Sequence, residues 1–314
     1  MRNNFQSIQG LANKEWDIIR NLSELEPFPG RYIGDDCALL DNKKYLVTTD
    51  QMVEFHHFDF SFMPPETVGW RLMAANASDI LSMGGTPELF FLNIAIPDGR
   101  FEEAEGIICG IKNFAKKYNI SIAGGDTTAG KTFFLAVTMF GLPGGKIWER
   151  KNAAAGEKIY IADYPGLSKA GFIALKKGYQ GFEEAKKRFL SPDPFPLFPK
   201  NINGINAAID ISDSLISEIS LIAGASKVSI IVDIEKIPVH KEVIQMAERE
   251  NISPEKLILS SGEEFFLLVS SSQHVENFHE IGYARVYDGT PLIVKKNGIP
   301  LDFSNINLYS HFSG

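Results

Sequence analysis

The sequence predicts a soluble protein of two domains, each mixing strands with helices. Three observations carry this. The 314 residues exceed the usual size of a single domain. The composition, 44% hydrophobic and 22% charged, is that of a globular chain able to bury a core. Apolar runs of strand length alternate with helix-periodic segments on both sides of Leu142-Pro143-Gly144-Gly145, a break that divides the chain into residues 1–143 and 144–314.

Each element has a local reason. Residues 15–25 carry Trp16, Ile18, Ile19 and Leu22 at helical spacing, stopped by Pro27 and Pro29. After a turn at 41–44, the β-rich run 45–49 delivers Asp50 to a strand end, and residues 51–60, with His56 and His57 among aromatics, read as an edge strand. Pro64-Pro65 opens a helix to about Met83, with Gly84-Gly85 as its C-cap. Residues 89–96 read as a buried strand and 101–118 as a helix. A short strand at 120–123 then enters a glycine-rich turn at 124–130, and 131–141 returns as a strand.

In the second half, strands are expected at 158–162, 207–211, 228–232, 257–259 and 265–269. Helices are expected at 168–177, 183–190, 215–223 (capped by Gly224) and 240–250. Residues 191–199 (SPDPFPLFP) are too proline-rich for either and read as a rigid connection.

Composition narrows the function. A net charge of −8 argues against a general nucleic-acid or membrane-surface binder, though not against phosphate ligands held through metal ions. Cys37 and Cys109 are the only cysteines and stand outside any CxxC or Cys/His spacing, which leaves no support for a disulfide scaffold or a zinc site. A reducing cytoplasm is the economical reading. The sequence has no signal-peptide pattern at its start and no run of 18 apolar residues.

The chemistry-bearing residues are aspartates. GDD at 34–36, TTD at 48–50, NASD at 76–79, GGD at 124–126 and DISD at 210–213 each follow or end an apolar segment, which puts a carboxylate at an element's end. Taken singly, each reads more readily as a turn than as a site, with Asn76 and Ser78 as polar helix-face residues and Ser212 as a cap. Together they place several acids inside a fold, which is unfavourable unless cations hold them. Hard oxygen donors without His or Cys indicate magnesium or calcium. Magnesium held this way implies a polyphosphate ligand. The chain lacks both the GxxxxGK[ST] loop and the kinase HRD and DFG signatures, so metal ions would have to neutralise the phosphates.

The ordered set resembles the thiamine-monophosphate kinase family. It comprises GDDCALL, TTD with His57 beyond it, NASDILSMGGTP, GGDTTAG, Arg150 with AAAGE, GLSKAG, DISDS, SGEEFFLL and a terminal LYSHF. That family shares a superfamily with aminoimidazole-ribonucleotide synthetase, selenophosphate synthetase and a hydrogenase-maturation dehydratase, and the match runs from about residue 15 to 312. The resemblance implies an α+β subunit of two domains that forms a homodimer through a β-barrel built between N-terminal domains. The N-terminal domain would bind ATP and metal, and the C-terminal α/β domain would complete the substrate site. It implies direct in-line transfer from ATP to thiamine phosphate, giving thiamine diphosphate, with several Mg2+ ions. By resemblance, Asp36, Thr48, Thr49, Asp50, Asp79, Asp126, Asp210 and Asp213 are the metal ligands, with Asp50, Asp126, Asp210 and Asp213 central to catalysis. Gly125, Asp126, Arg150 and Ser212 contact ATP, and His57, Glu263 and Tyr309 contact the substrate.

Some positions depart from the family pattern. Glu264 stands for Asp, Ser214 for Gly, Leu167 for Asp, Phe195 for Arg and Glu157 for Asp, and Asn152 displaces the glycine expected after Arg150. None removes a metal ligand, and they gather in the C-terminal half, on the acceptor side. The alternatives are therefore a related ATP-dependent enzyme with another small acceptor, or a nucleotide-binding sensor.

Overall fold

A computed structural model describes residues 18–19, 21–25, 32–198, 203–303 and 306. Of the helix expected over 15–25, residues 15–17 and 20 lie outside the described residues. Its described part is helical at 18–19 and 21–22 and ends in a 3-10 turn at Ser23–Leu25.

The first half is a five-stranded sheet. Its strands are β1 (Ala38–Leu40), β2 (Tyr45–Val53), β3 (Gly85–Pro97), β4 (Ser121–Gly130) and β5 (Phe134–Pro143), in the order β1-β2-β5-β3-β4. All neighbours are antiparallel except β3 and β4. Two helices, α1 (Pro65–Ser82) and α2 (Phe101–Tyr118), pack together, and α1 lies on β2, β3 and β5. The helices approach closely because glycines face each other's backbone: a Cβ on Gly69 would stand 2.0 Å from Ile107 O, and one on Gly110 1.9 Å from Glu66 O. Pro65 starts α1, since its missing N–H is one the first turn leaves unbonded anyway. Left-handed Gly84 follows the Met83 cap.

The second half is a mixed seven-stranded sheet. It comprises β6 (Lys158–Ile161), β7 (Ile205–Asp210), β8 (Val228–Asp233), β9 (Leu267–Ser271), β10 (His279–Val286), β11 (Leu292–Lys296) and β12 (Ile299–Pro300). The order is β12-β11-β8-β10-β6-β9-β7, with only β8 and β11 parallel. The helices of this half are α3 (Leu167–Lys176), α4 (Glu183–Leu190), α5 (Leu215–Ser226), α6 (Lys241–Glu250) and α7 (Pro254–Leu259). Each half has its own apolar cluster. Phe189 of α4 nevertheless belongs to the first, with Phe195 packed against it, so the halves interlock.

Five expectations change. The run 89–96 is not fully buried: β3 begins at Gly85 and one face of its sheet stays open, with Phe91 38% exposed. The glycine-rich stretch 124–130 is strand rather than turn, because Gly124 and Gly125 let β4 run against β3 across a register shift at Phe90/Phe91. Residues 54–58 form a tight turn after β2, with Phe55 left-handed, so His56 and His57 sit in a turn and not on an edge strand. Residues 257–259 are helical, since Ser253 caps the Lys256 N–H and Pro254 pre-sets the first turn of α7. Helix α5 runs past Gly224 to a left-handed cap at Lys227.

Candidate active site

The site forms where α1 meets the second sheet. Asp79, near the end of α1, Asp36, in the segment before β1, and Asp210, the last residue of β7, offer carboxylate oxygens that all lie within 4.8 Å of one another. Strand alternation brings Thr48 and Asp50 of β2 to the same side. Thr48 Oγ1 donates to Asp79 Oδ2, and the Asp50 and Asp79 carboxyls share a hydrogen bond. Asn76 fixes Asp50 by accepting its backbone N–H at 3.2 Å, Ser78 donates to Asp210 and Ser82 to Asp36. Asn76 and Ser78 are thus buried polar residues of α1 that hold the acids in place.

Crowding acids in a buried place disfavours their charged forms. Burial pushes Asp50 up to about 6, helped by the charges of Asp36 and Asp213 and opposed by the Asp79 hydrogen bond. Burial, then the charge of Asp36, pushes Asp210 up to about 8. Asp79 is raised by burial and by Asp50, Asp210 and Asp36. One cation answers this. Burial works against the charge of Arg150, but Asp36 and Glu218 hold its guanidinium above the usual range, and it donates to Asp36 while its backbone N–H donates to Asp35 at 2.8 Å.

From the second half comes the 211–214 loop. Glu218, one turn into α5 and 1% exposed, accepts from the Asp213 N–H at 3.0 Å and stands 3.4 Å from Ser212 Oγ. Asp213 presents an exposed carboxylate beside the cluster and contributes to the raised Asp50 and Glu218. Ser212 does not cap α5. Ser214 does, accepting from Ser217 N at 3.1 Å, which explains serine where the family pattern has glycine. The 261–264 loop lies on this one, with Glu263 N–H donating to Ser212 O at 2.6 Å. A Cβ on Gly262 would meet Asp213 O at 2.2 Å, so the contact requires glycine.

Other expected residues fall elsewhere. Thr49 sits on the opposite face of β2, its hydroxyl donating to Val137 O at 3.1 Å, so its side chain is not among the acids. Gly125 and Asp126 lie on the exposed edge strand β4. The register Asp50–Val137–Leu92–Gly125 puts them three strands from Asp50, about 14 Å along the sheet. Gly125 also has a backbone reason to be glycine: its φ is +150° and a Cβ would stand 1.8 Å from Leu92 O. His57 closes the turn after β2, its Nδ1 accepting the Val53 N–H at 3.1 Å. Tyr309 lies outside the described residues.

The departures acquire local roles. Glu264, 1% exposed, accepts from Gly166 N at 2.7 Å, Ser168 N at 3.2 Å and Ser261 Oγ at 2.6 Å, and so caps the start of α3 on either side of Leu167. Phe195 stacks on Tyr118 with centroids 3.8 Å apart. Glu157 accepts from Ala154 N and Ser270 Oγ.

Sequence reading missed Arg71, Glu218 and Asp35. Glu218 could have been found from its place five residues after Asp213 on a helix otherwise apolar on that face. Arg71 sits among apolar residues of α1 at a position whose spacing reads as core.

The all-oxygen donor set of Asp36, Asp79 and Asp210, with Asp50 and Asp213 beside it, fits hard divalent cations. Such a site, set between an α/β sheet pair, defines the class of protein. Residues 34–142 match the model for "AIR synthase related protein, N-terminal domain". The chain is 31% identical to thiamine-monophosphate kinase of Pyrococcus horikoshii over 295 residues, covering 90% of this chain and 91% of that one. It is 30% identical to the Aquifex aeolicus protein of the same name over 290 residues, covering 88% and 92%. A solved structure, AaThiL complexed with AMPPCP and TMP, superposes with a TM-score of 0.81 at 25% identity, covering 95% of this chain and 96% of that one. The chain belongs to the thiamine-monophosphate kinase family. No helix among the described residues is long and apolar enough to cross a membrane.

Proposed function

We propose that the chain transfers the terminal phosphoryl group of ATP to the phosphate of thiamine phosphate by direct in-line displacement, producing ADP and thiamine diphosphate. The observation that carries this reading is the convergence of Asp36, Asp79 and Asp210 from both halves of the chain. A relative of the same fold solved with AMPPCP and TMP together supports a joint nucleotide and acceptor site.

Asp36, Asp50, Asp79, Asp210 and Asp213 would hold the magnesium ions, with Thr48 Oγ1 orienting Asp79. When bound, those ions supply neutralisation for the phosphates, which together bring about six negative charges. Arg150, held by Asp35 and Asp36, is a cation among the described residues that would meet a phosphate chain at this place. The acceptor oxygen of thiamine phosphate is already anionic near neutral pH, so the chain's task is positioning rather than proton abstraction. Ser212 and Asp213 face this space from the loop that Glu218 and Gly262 fix. Glu263 and His57 serve the acceptor.

Residues 1–143 then act as the nucleotide-, metal- and dimer-forming domain and 144–314 as the domain completing the acceptor side. In the cell, a cytoplasmic homodimer is the proposed form. The support for dimerisation is β4: it is a sheet edge whose residues are exposed along nearly its whole length, Ile122 at 63%, and an uncovered edge invites pairing with another strand. Pairing there would also give Gly125 and Asp126 a role that Asp50's distance along the same sheet denies them within one subunit.

The test is a coupled assay of purified protein with ATP and magnesium, with and without thiamine phosphate, following ADP and thiamine diphosphate separately. Equal amounts of both products, formed only with acceptor present, are expected. ATP binding without thiamine diphosphate would replace this reading by another acceptor or a sensing role.

A further inference from the structure

We infer that Arg71 is a positioning residue for the acceptor, acting through Glu263, an inference that rests on the proposed kinase activity. Arg71 is completely buried in α1, and its place is unusual for a cation. One guanidinium nitrogen, Nη1, donates to Phe189 O, and the plane lies over the Phe189 ring with its carbon 4.2 Å from the centroid. The other terminal nitrogen, Nη2, stands 2.7 Å from Glu263 Oε1, an ion pair whose N–H is not aimed along a hydrogen bond. Nε has no hydrogen-bond partner.

An arginine cannot shed its charge, so burying it without a full set of acceptors is costly where a leucine or methionine would pack. The cost has a counterpart in Glu263. Its backbone is left-handed, at φ +53°, and fixed by the bond to Ser212 O, while Gly262 before it allows no side chain. Its side chain is still 40% exposed. Glu263 is therefore anchored on one side by a buried cation and open on the other, as a carboxylate meant for a ligand would be. Thiamine phosphate offers it a cationic thiazolium and an aminopyrimidine with N–H donors. Arg71 holds that carboxylate in place and aimed.

Helix α1 adds geometry. Arg71 and Asp79 are eight residues apart on one rigid helix, about 12 Å along its axis. The same element that carries a phosphate-side acid therefore sets the distance to the carboxylate that meets the heterocycle. Phe189, which Arg71 touches, lies in α4, so the arginine also ties α1 of the first half to the acceptor side in the second.

The test is a double-mutant cycle of wild type, Arg71→Met, Glu263→Gln and the double variant. The readouts are kcat, KM for thiamine phosphate, KM for ATP and melting temperature. Each single change is expected to raise KM for thiamine phosphate about tenfold, the effect of one charge-assisted contact, and to leave KM for ATP within about twofold. The double variant should be no worse than the poorer single one, and Arg71→Lys should recover part of the loss. Effects that multiply in the double variant, or an equal rise in KM for ATP, overturn the inference. If Arg71→Met does not fold, the same cycle run with Arg71→Lys decides it. A wild type inactive with thiamine phosphate refutes the kinase reading itself, which the wild-type arm reports separately.

Discussion

Replacing Asp210 by Asn should stabilise the metal-free protein at alkaline pH and remove its response to magnesium. Asp210 is 1% exposed and its carboxyl is pushed from 3.8 up to about 8, by burial and then by the charge of Asp36. Between pH 4 and pH 8 the folded chain holds a proton on Asp210 that the unfolded chain has released. This acid's contribution is therefore fully present below about pH 4 and is lost as pH rises through about 8. At pH 7 the difference amounts to about 4 kcal/mol as an upper bound, which relaxation around the site reduces to about 1–3 kcal/mol. Asn keeps an oxygen for the Ser78 hydroxyl and carries no charge.

The assay is thermal melting in EDTA at pH 5 and pH 8, repeated with millimolar magnesium. In EDTA at pH 8 the variant should melt several degrees above wild type, with the gap shrinking at pH 5. Magnesium at pH 8 should raise the wild type by mass action and leave the variant nearly unmoved. A variant that melts below wild type in EDTA at pH 8, or a gap independent of pH, would refute the reasoning that the acids repel one another and await cations.

Two further changes test the scaffold. Glu264→Asp restores the residue of the family pattern but shortens the carboxylate by one methylene, pulling it from Gly166 N, Ser168 N and Ser261 Oγ. A loss of about 1–3 kcal/mol in urea unfolding is expected, and an unchanged midpoint would mean that the cap is not formed. Gly69→Ala places a methyl 2.0 Å from Ile107 O and must push α1 from α2, costing about 2 kcal/mol or more. Because α1 carries Asp79, magnesium-dependent activity should fall with stability, and a variant with wild-type melting would contradict the close helix packing.

Much of the architecture was local enough to read. The helix at 101–118 has the predicted bounds, as does α4, because their apolar spacing and ends are written within each segment. Strands β10 and β11 went unread: β10 pairs with β6 and β8, which lie far away in sequence, and its own residues alternate weakly around Gly282. Residues 257–259, apolar and short, suit strand or helix equally, and the Ser253-Pro254 start decided for helix.

For the site, the sequence by itself determined the chemistry: oxygen-only donors placed at element ends, the absence of a phosphate loop, and an ordered set of motifs that named a family. Tertiary structure decided which acids meet. Asp36, Asp79 and Asp210 come together because α1 is wedged between both sheets, whereas the pleat turns Thr49 away and the strand order leaves Asp126 on a distant edge. It also decided the buried partners. Arg71 looks like an ordinary helix residue in a one-dimensional reading, and only packing reveals that it reaches Glu263; Glu218 stands out in its sequence position, but packing alone shows that it holds the Asp213 backbone. Residue type fixes what a side chain can bind, but which charges share a low-dielectric space depends on contacts between segments distant in the chain.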